Sequence, residues 1–227
     1  MSYHIDLSTI FMDEYSQKIE KSYILPSRMV LKEKLEERFN YFIQLGIANL
    51  HDLQQFLKKK HNIEALCKNE LFSIEYLKIL LREINSILPK PTQFDEFIGI
   101  SDETLLKLKK IGIKNTLQIY NHVLTPKDRM EFGQKTEIDS AALLELTKLA
   151  DLSRIKYVGA LFARVLYFAG FDTLEKVANA HDVQLYEAVC KTNQNMNLYK
   201  GKIGLHDIQL CIELAKEVPI EIEYELT

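Results

Sequence analysis

Residues 154–177 read RIKYVGALFARVLYFAGFDTLEKV: a helix entered through a tight turn at Gly159 and left through a second glycine, Gly170. A glycine placed directly after a helical run suits the left-handed position that ends a helix without a Cβ penalty. Asp172 and Thr173 follow, and either side chain can cap a further helix by accepting from its free N–H groups. The stretch therefore predicts a turn, a helix, a glycine stop and a short second helix.

The same succession occurs twice more. FIQLGIANLHDL (42–53), LKKIGIKNTLQI (108–119) and LYFAGFDTLEKV (166–177) each carry an apolar helix end and then a glycine, Gly46, Gly112 or Gly170. Asn49 and Asn115 are the cap candidates in the first two, and an aliphatic (Leu53, Ile119 or Val177) stands seven residues after each glycine. Downstream, KNELFSIEYLKIL (68–80) parallels KTEIDSAALLEL (135–146), with Ser73 and Ser140 expected as N-caps. In the third copy the match drifts to YKGKIGLHDIQLCIELAKEV (199–218), where Gly204 or Asp207 would start the helix. Three degenerate copies of one supersecondary unit are the expected organisation.

PKPTQ (89–93) interrupts the pattern, because Pro89 ends the preceding helix and the two prolines stiffen the segment. The expected division is an N-terminal helical domain over 1–90 holding one copy, and a domain over 94–219 holding copies 94–150 and 151–219. A strand-like tail over 220–227 completes the chain. Elsewhere apolar residues recur at three- and four-residue spacing, as at Leu31, Leu35, Phe39 and Phe42, which predicts an all-α fold. The ends differ: YHIDL (3–7) and IEIEYEL (220–226) alternate apolar and polar residues. That alternation fits a small sheet between the two ends or between chains, or else a frayed tail.

TPKDRMEFGQKTEIDSAALLELTKLADLSRIKYVGALFARVLYFAGFDTLEKVA (125–178), with the later GLHDIQLCIELAK (204–216), resembles a bacterial domain-of-unknown-function family of tandem helix-hairpin-helix repeats. That family is similar to the small helical domains of DNA ligases and repair proteins. The likeness covers about 94–219 and implies a fold more firmly than an activity, since function lives in the site and not in the scaffold.

A hairpin that grips a phosphate needs two closely spaced glycines before its second helix, so that the backbone can approach and the free N–H groups and dipole can attract. The corresponding positions are Glu33 and Leu35 in the first copy, Gly99 and Ser101 in the second, and Tyr157 and Gly159 in the third. The first pair falls in what reads as continuous helix, with no loop. In the second, Ser101 would cap its own helix while Asp102 and Glu103 repel an anion. Only the third leaves its N–H groups uncontested, with Gly159 followed by Ala160 and Leu161 and with Arg154, Lys156 and Arg164 close in sequence. The candidate phosphate site is therefore Gly159 and Ala160 with Arg154, Lys156 and Arg164, joined by Lys200 and Lys202. The structural alternative is that Gly159 only permits close helix packing and the cations are solvated. Basic loops also recur, at Lys58, Lys59 and Lys60, at Lys127 and Arg129, and at Lys200 and Lys202, and stacked repeats could align them into a stripe tracking phosphates.

The charge balance argues against a dedicated nucleic-acid binder, with 29 basic against 32 acidic residues and a net charge of −3. The 11 Phe and 11 Tyr fall mostly on apolar helical stripes, as core. No two of the six histidines share ligand spacing on a helix, and there is no C-x-x-C, so no metal is expected. Asp207 and Cys211 lie four apart in HDIQLC (206–211), too little for a metal set, and GKIG (201–204) lacks the spacing of a nucleotide loop. No cofactor and no catalysis are expected. Cys67, Cys190 and Cys211 are too few and scattered for a disulfide framework, and with no signal-like or membrane-length run the expectation is a cytoplasmic protein. The sequence reading is a non-catalytic helical repeat protein that binds a protein partner or itself; its alternative is sequence-independent nucleic-acid binding through the hairpin at Gly159.

Overall fold

The computed structural model describes residues 3–22 and 26–224. It is all-α, with no strand among the described residues. The chain divides into two compact units, one of residues His4–Leu88 and one of the residues from Pro89 onward together with Tyr3.

The first unit contains α1 (Met12–Lys21), α2 (Leu35–Gln44), α3 (Leu50–Leu57), α4 (Lys60–Leu66) and α5 (Ile74–Ser86). The second contains α6 (Asp102–Lys110), α7 (Thr116–Tyr120), α8 (Pro126–Thr136) and α9 (Ser140–Leu152), then α10 (Ala160–Phe168), α11 (Leu174–Ala178), α12 (Asp182–Met196) and α13 (Leu205–Lys216). One four-helix succession thus occurs three times: a first helix, a short helix, a connector and a longer closing helix. In each, the short helix packs on the closing one, α3 on α5, α7 on α9 and α11 on α13.

The join between the first two helices follows one set of hydrogen bonds. Gly46, Gly112 and Gly170 have φ of 82°, 80° and 85°. The next residue donates back across the helix end: Ile47 to Phe42, Ile113 to Leu108 and Phe171 to Leu166, at 3.2, 3.0 and 3.1 Å. These bonds satisfy carbonyls that a helix end otherwise leaves bare. Asn49, Asn115 and Thr173 then cap the short helices, accepting from the N–H groups of Asp52, Gln118 and Lys176. Leu53, Ile119 and Val177 are fully buried, which explains the aliphatic seven residues after each glycine.

Capping does not satisfy the first N–H of each short helix, and the copies differ in how they serve it. Leu50 donates to the Ile10 carbonyl at 3.0 Å and Thr116 to that of Thr92 at 3.0 Å. Both acceptors lie in extended segments that pair locally with the turn, Phe11 opposite Asn49 and Gln93 opposite Asn115. The third copy follows directly on α9 and has no such segment. There Leu174 donates instead to the Asp151 carboxylate, 3.1 Å away.

Three local expectations are corrected. Copy one has a turn before its hairpin helix: Lys34 takes a left-handed conformation (φ 45°) and caps α2, so 26–44 is not one helix. The cap of α9 is Asp139, whose carboxylate accepts from the N–H groups of Ala141 and Ala142, while Ser140 is already helical. The terminal sheet is absent among the described residues. Tyr3, Ile222 and Tyr224 pack instead with Tyr120 and Leu124, and Glu223 donates to the Leu124 carbonyl at 2.8 Å. The alternation of the tail sends one side of an extended strap into a helical surface, while residues 225 and 226 of that expectation lie outside the described residues.

No neighbour lies within 4 Å of a Cβ built at Gly46, Gly112, Gly159 or Gly170, so substitution isolates backbone strain. Alanine at 46, 112 or 170 should cost about 1–2 kcal/mol from the left-handed φ alone. Gly159 has φ −91°, and Gly159→Ala should stay within about 0.5 kcal/mol of the parent. Urea unfolding of the four variants checks this; equal losses at 112 and 159 would contradict it.

Candidate functional site

The third hairpin turn has the backbone path of the second. Tyr157 stands at φ 70°, where Gly99 stands at φ 91° in copy two, and each is followed by an apolar residue and then the helix cap. A bulky side chain at this φ is an outlier, held in place by the structure around it. Val158 beneath is buried. Gly159 caps α10 with no side-chain hydrogen bond, and the first turn contains no acid. Gly159 is exposed, its φ is ordinary and nothing lies within 4 Å of its would-be Cβ. Close helix packing therefore does not account for this glycine.

The cations expected around the turn separate into two groups. Arg154 is 2% exposed and wholly occupied. It pairs with Asp151 at 3.0 Å, donates to the carbonyls of Tyr3 and Pro219 at 3.2 and 2.8 Å, and lies over the Tyr120 ring. Arg164 is 1% exposed, pairs with Glu145 and lies beside the rings of Tyr167 and Phe168. Arg154 is held inward by the buried Asp151 and Arg164 pairs with the half-buried Glu145, which removes both from an external phosphate. Lys156 is half-buried, its ammonium 4.9 Å from the centre of the Tyr157 ring. Lys200 and Lys202 are exposed on a loop brought beside α10 by Phe162 and Tyr199, whose rings lie 5.5 Å apart. Of the basic loops, Lys58, Lys59, Lys60 and Lys127 are exposed, but Arg129 is buried and donates to the carbonyls of Val123 and Tyr224.

The outer face of this hairpin is apolar instead. Tyr157 in the turn and Leu161 and Phe168 on α10 are 45%, 37% and 45% exposed, and the two helical residues stand seven apart, on one side of the helix. Ile98 in the neighbouring hairpin turn is 50% exposed, and the adjacent Gly99 abuts the Arg164 guanidinium. Sequence reasoning had assigned these aromatics to the core. Periodicity does not distinguish an apolar stripe facing inward from one facing water.

Asp151 is buried and accepts from Arg154, the Leu174 N–H and the Tyr224 hydroxyl. Burial lifts its carboxyl above the usual carboxylate range, with the Arg154 charge and the donated hydrogen bonds pulling against it. Burial and the Asp151 charge likewise push the Tyr224 phenol up. An open cleft of about 800 Å³ lies among α6, α8, α9 and the tail, lined by Met130, Ile138, Leu143, Leu144, Tyr224 and Lys107. The sequence carries no mark of it, since its walls come from four separate segments.

A family profile, described as a domain of unknown function (DUF4332), matches residues 98–218. The chain belongs to this family. The match takes in the second unit's helices from α6 to α13. No curated protein and no solved structure matches the chain.

Among the described residues no cluster of His, Cys, Asp and Glu could hold a metal ion, and no helix is long and apolar enough to cross a membrane. Asp207 accepts from the Gly204 N–H as a helix start, and burial pushes the Cys211 thiol up to about 12. The pair in HDIQLC is thus a cap and a core residue.

The Asp151 network predicts a graded loss. Asp151→Ala strands Arg154 and should cost about 3–5 kcal/mol. Tyr224→Phe removes one bond to a charged acceptor and should cost about 1–3 kcal/mol. Urea denaturation measures both, and a Tyr224→Phe variant as stable as the parent would show that the tail is not held there.

Proposed function

We propose that the chain is a non-catalytic interaction module built from three degenerate helix-hairpin-helix units, binding a protein partner or a second copy. The observation that carries this reading is the outer face of the third hairpin. Its arginines, Arg154 and Arg164, turn inward, while Tyr157, Leu161 and Phe168 turn outward. Exposed aromatic and aliphatic side chains on a rigid helix lose little entropy on docking and bury much apolar area, which suits protein contact. Phosphate tracking needs the reverse, cations outside. Stacked helical units also present extended faces to partners.

A second reading, nucleic-acid binding at the N-terminus of α10, keeps support from one feature. Gly159 is a glycine that neither φ nor packing requires, above uncapped amides with Lys200 and Lys202 on the adjoining loop. It is the weaker reading because two of the turn's own cations, Arg154 and Arg164, are buried and the second unit's charge is acidic overall. Residues 91–227 hold 16 basic against 20 acidic side chains.

The two readings part on a titration and a crosslink. Labelled duplex, single-stranded DNA and RNA should show no saturable binding at low salt. A photo-crosslinking amino acid at position 161 should yield a discrete protein adduct in cells. Salt-sensitive binding of an oligonucleotide that Lys200→Ala and Lys202→Ala abolish would reverse the order.

A further inference from the structure

We infer that Arg164 is the polar anchor of this interaction face and receives a carboxylate presented by the partner protein beside an apolar side chain. The inference rests on the interaction reading above and names the chemistry of the occupant.

Arg164 uses one nitrogen of its guanidinium, Nη1, to pair with Glu145. Its Nε and Nη2 are buried and meet no acceptor among the described residues. Those two nitrogens form the side-on edge of the guanidinium, whose parallel N–H bonds match the two oxygens of a carboxylate. Arginine donors buried without an acceptor are rare in folded proteins, and here the guanidinium lies beside the half-exposed Phe168 ring.

Two neighbours of the guanidinium bear on access to that edge. On one side is the Gly99 backbone, which contributes no side chain: a Cβ built there would stand 3.9 Å from Nη2, with no other atom within 4 Å. On the other is Phe168, its ring centre 5.3 Å from the guanidinium carbon and its side chain half exposed. Turning that half-exposed ring outward would open the fork. Exposed Ile98, next to Gly99 in the chain, and exposed Leu161, on the same helix as Arg164, would hold the apolar neighbour of the carboxylate. Such a centre, an arginine ringed by aromatic and aliphatic side chains, has the composition of an interface hot spot. Glu145 balances the arginine charge, so attraction comes from directed hydrogen bonds at short range. Binding should depend only weakly on salt, unlike phosphate contact.

The test uses the full chain, ¹⁵N-labelled, with the Arg164 Nε–H resonance assigned by its loss in Arg164→Lys. The probes are N-acetyl-leucine, its methyl ester and inorganic phosphate. N-acetyl-leucine should shift the Arg164 Nε–H and the Leu161 and Phe168 amides saturably, while the ester and phosphate leave them in place. Arg164→Lys should weaken the amide response tenfold or more, and Phe168→Ala, which uncovers the fork, should retain it. If Arg164→Lys does not fold, the wild-type and Phe168→Ala titrations still decide. An unmoved Nε–H, an equal response to the ester, or a response to phosphate in place of N-acetyl-leucine overturns the assignment. A position-161 crosslink that survives undiminished in Arg164→Lys overturns the anchor alone; no crosslink in the parent overturns the interaction reading.

Discussion

The first amide of each short helix has no partner within its own helix, and the fold is arranged so that something always reaches it. In the first two copies an extended segment ahead of the hairpin offers a carbonyl, from Ile10 to Leu50 and from Thr92 to Thr116. The third copy begins where α9 ends and leaves no room for that segment. Asp151, in the last turn of α9, supplies a carboxylate in its place. A buried carboxylate needs a cation, and Arg154 provides it three residues later. Arg154 then has donors left over, and these hold the carbonyls of Tyr3 and Pro219, drawing both ends of the second unit onto its helices.

One substitution of a backbone acceptor by a side chain therefore propagates into the placement of the tail and into the use of the cations. Arg154 stands where a hairpin that binds phosphate would want an exposed base, yet it is consumed by the demands of the fold. The loss of external charge and the gain of a fixed terminus have one cause. Arg164 follows the same inward course for a different acceptor, Glu145, and keeps part of its donor set unspent. The apolar face above it is what remains when the cations are withdrawn from a hairpin whose outward positions still carry Tyr157, Leu161 and Phe168.

Much of the scaffold was legible in the chain, because its rules are local. A glycine at a helix end, an asparagine three residues on and an aliphatic seven residues on are short-range requirements of backbone conformation, capping and burial. Gly46 and Gly112 met all three, Gly170 met the first and the last with Thr173 as the cap, and Ser73 and Ser101 cap their own helices. The candidate site was legible only in part. The uncapped turn at Gly159 could be read from the absence of acids after it. The direction of Arg154 and Arg164 could not, since an arginine near a glycine turn in sequence points toward whichever acceptor the packing brings within reach. The alternating tail misled for a related reason: a period of two records an extended segment with one buried side and is silent on what buries it.

By itself the sequence determined the all-helical class and the glycine turns and caps between its helices, since each depends on residues close to one another in the chain. Only the tertiary structure decided that Asp151 serves an amide 23 residues away, that Arg154 and Arg164 face inward and that Tyr157, Leu161 and Phe168 face water. Those outcomes depend on which helix lies against which, and a long polar side chain goes where packing leaves it a partner, a choice that no local pattern encodes.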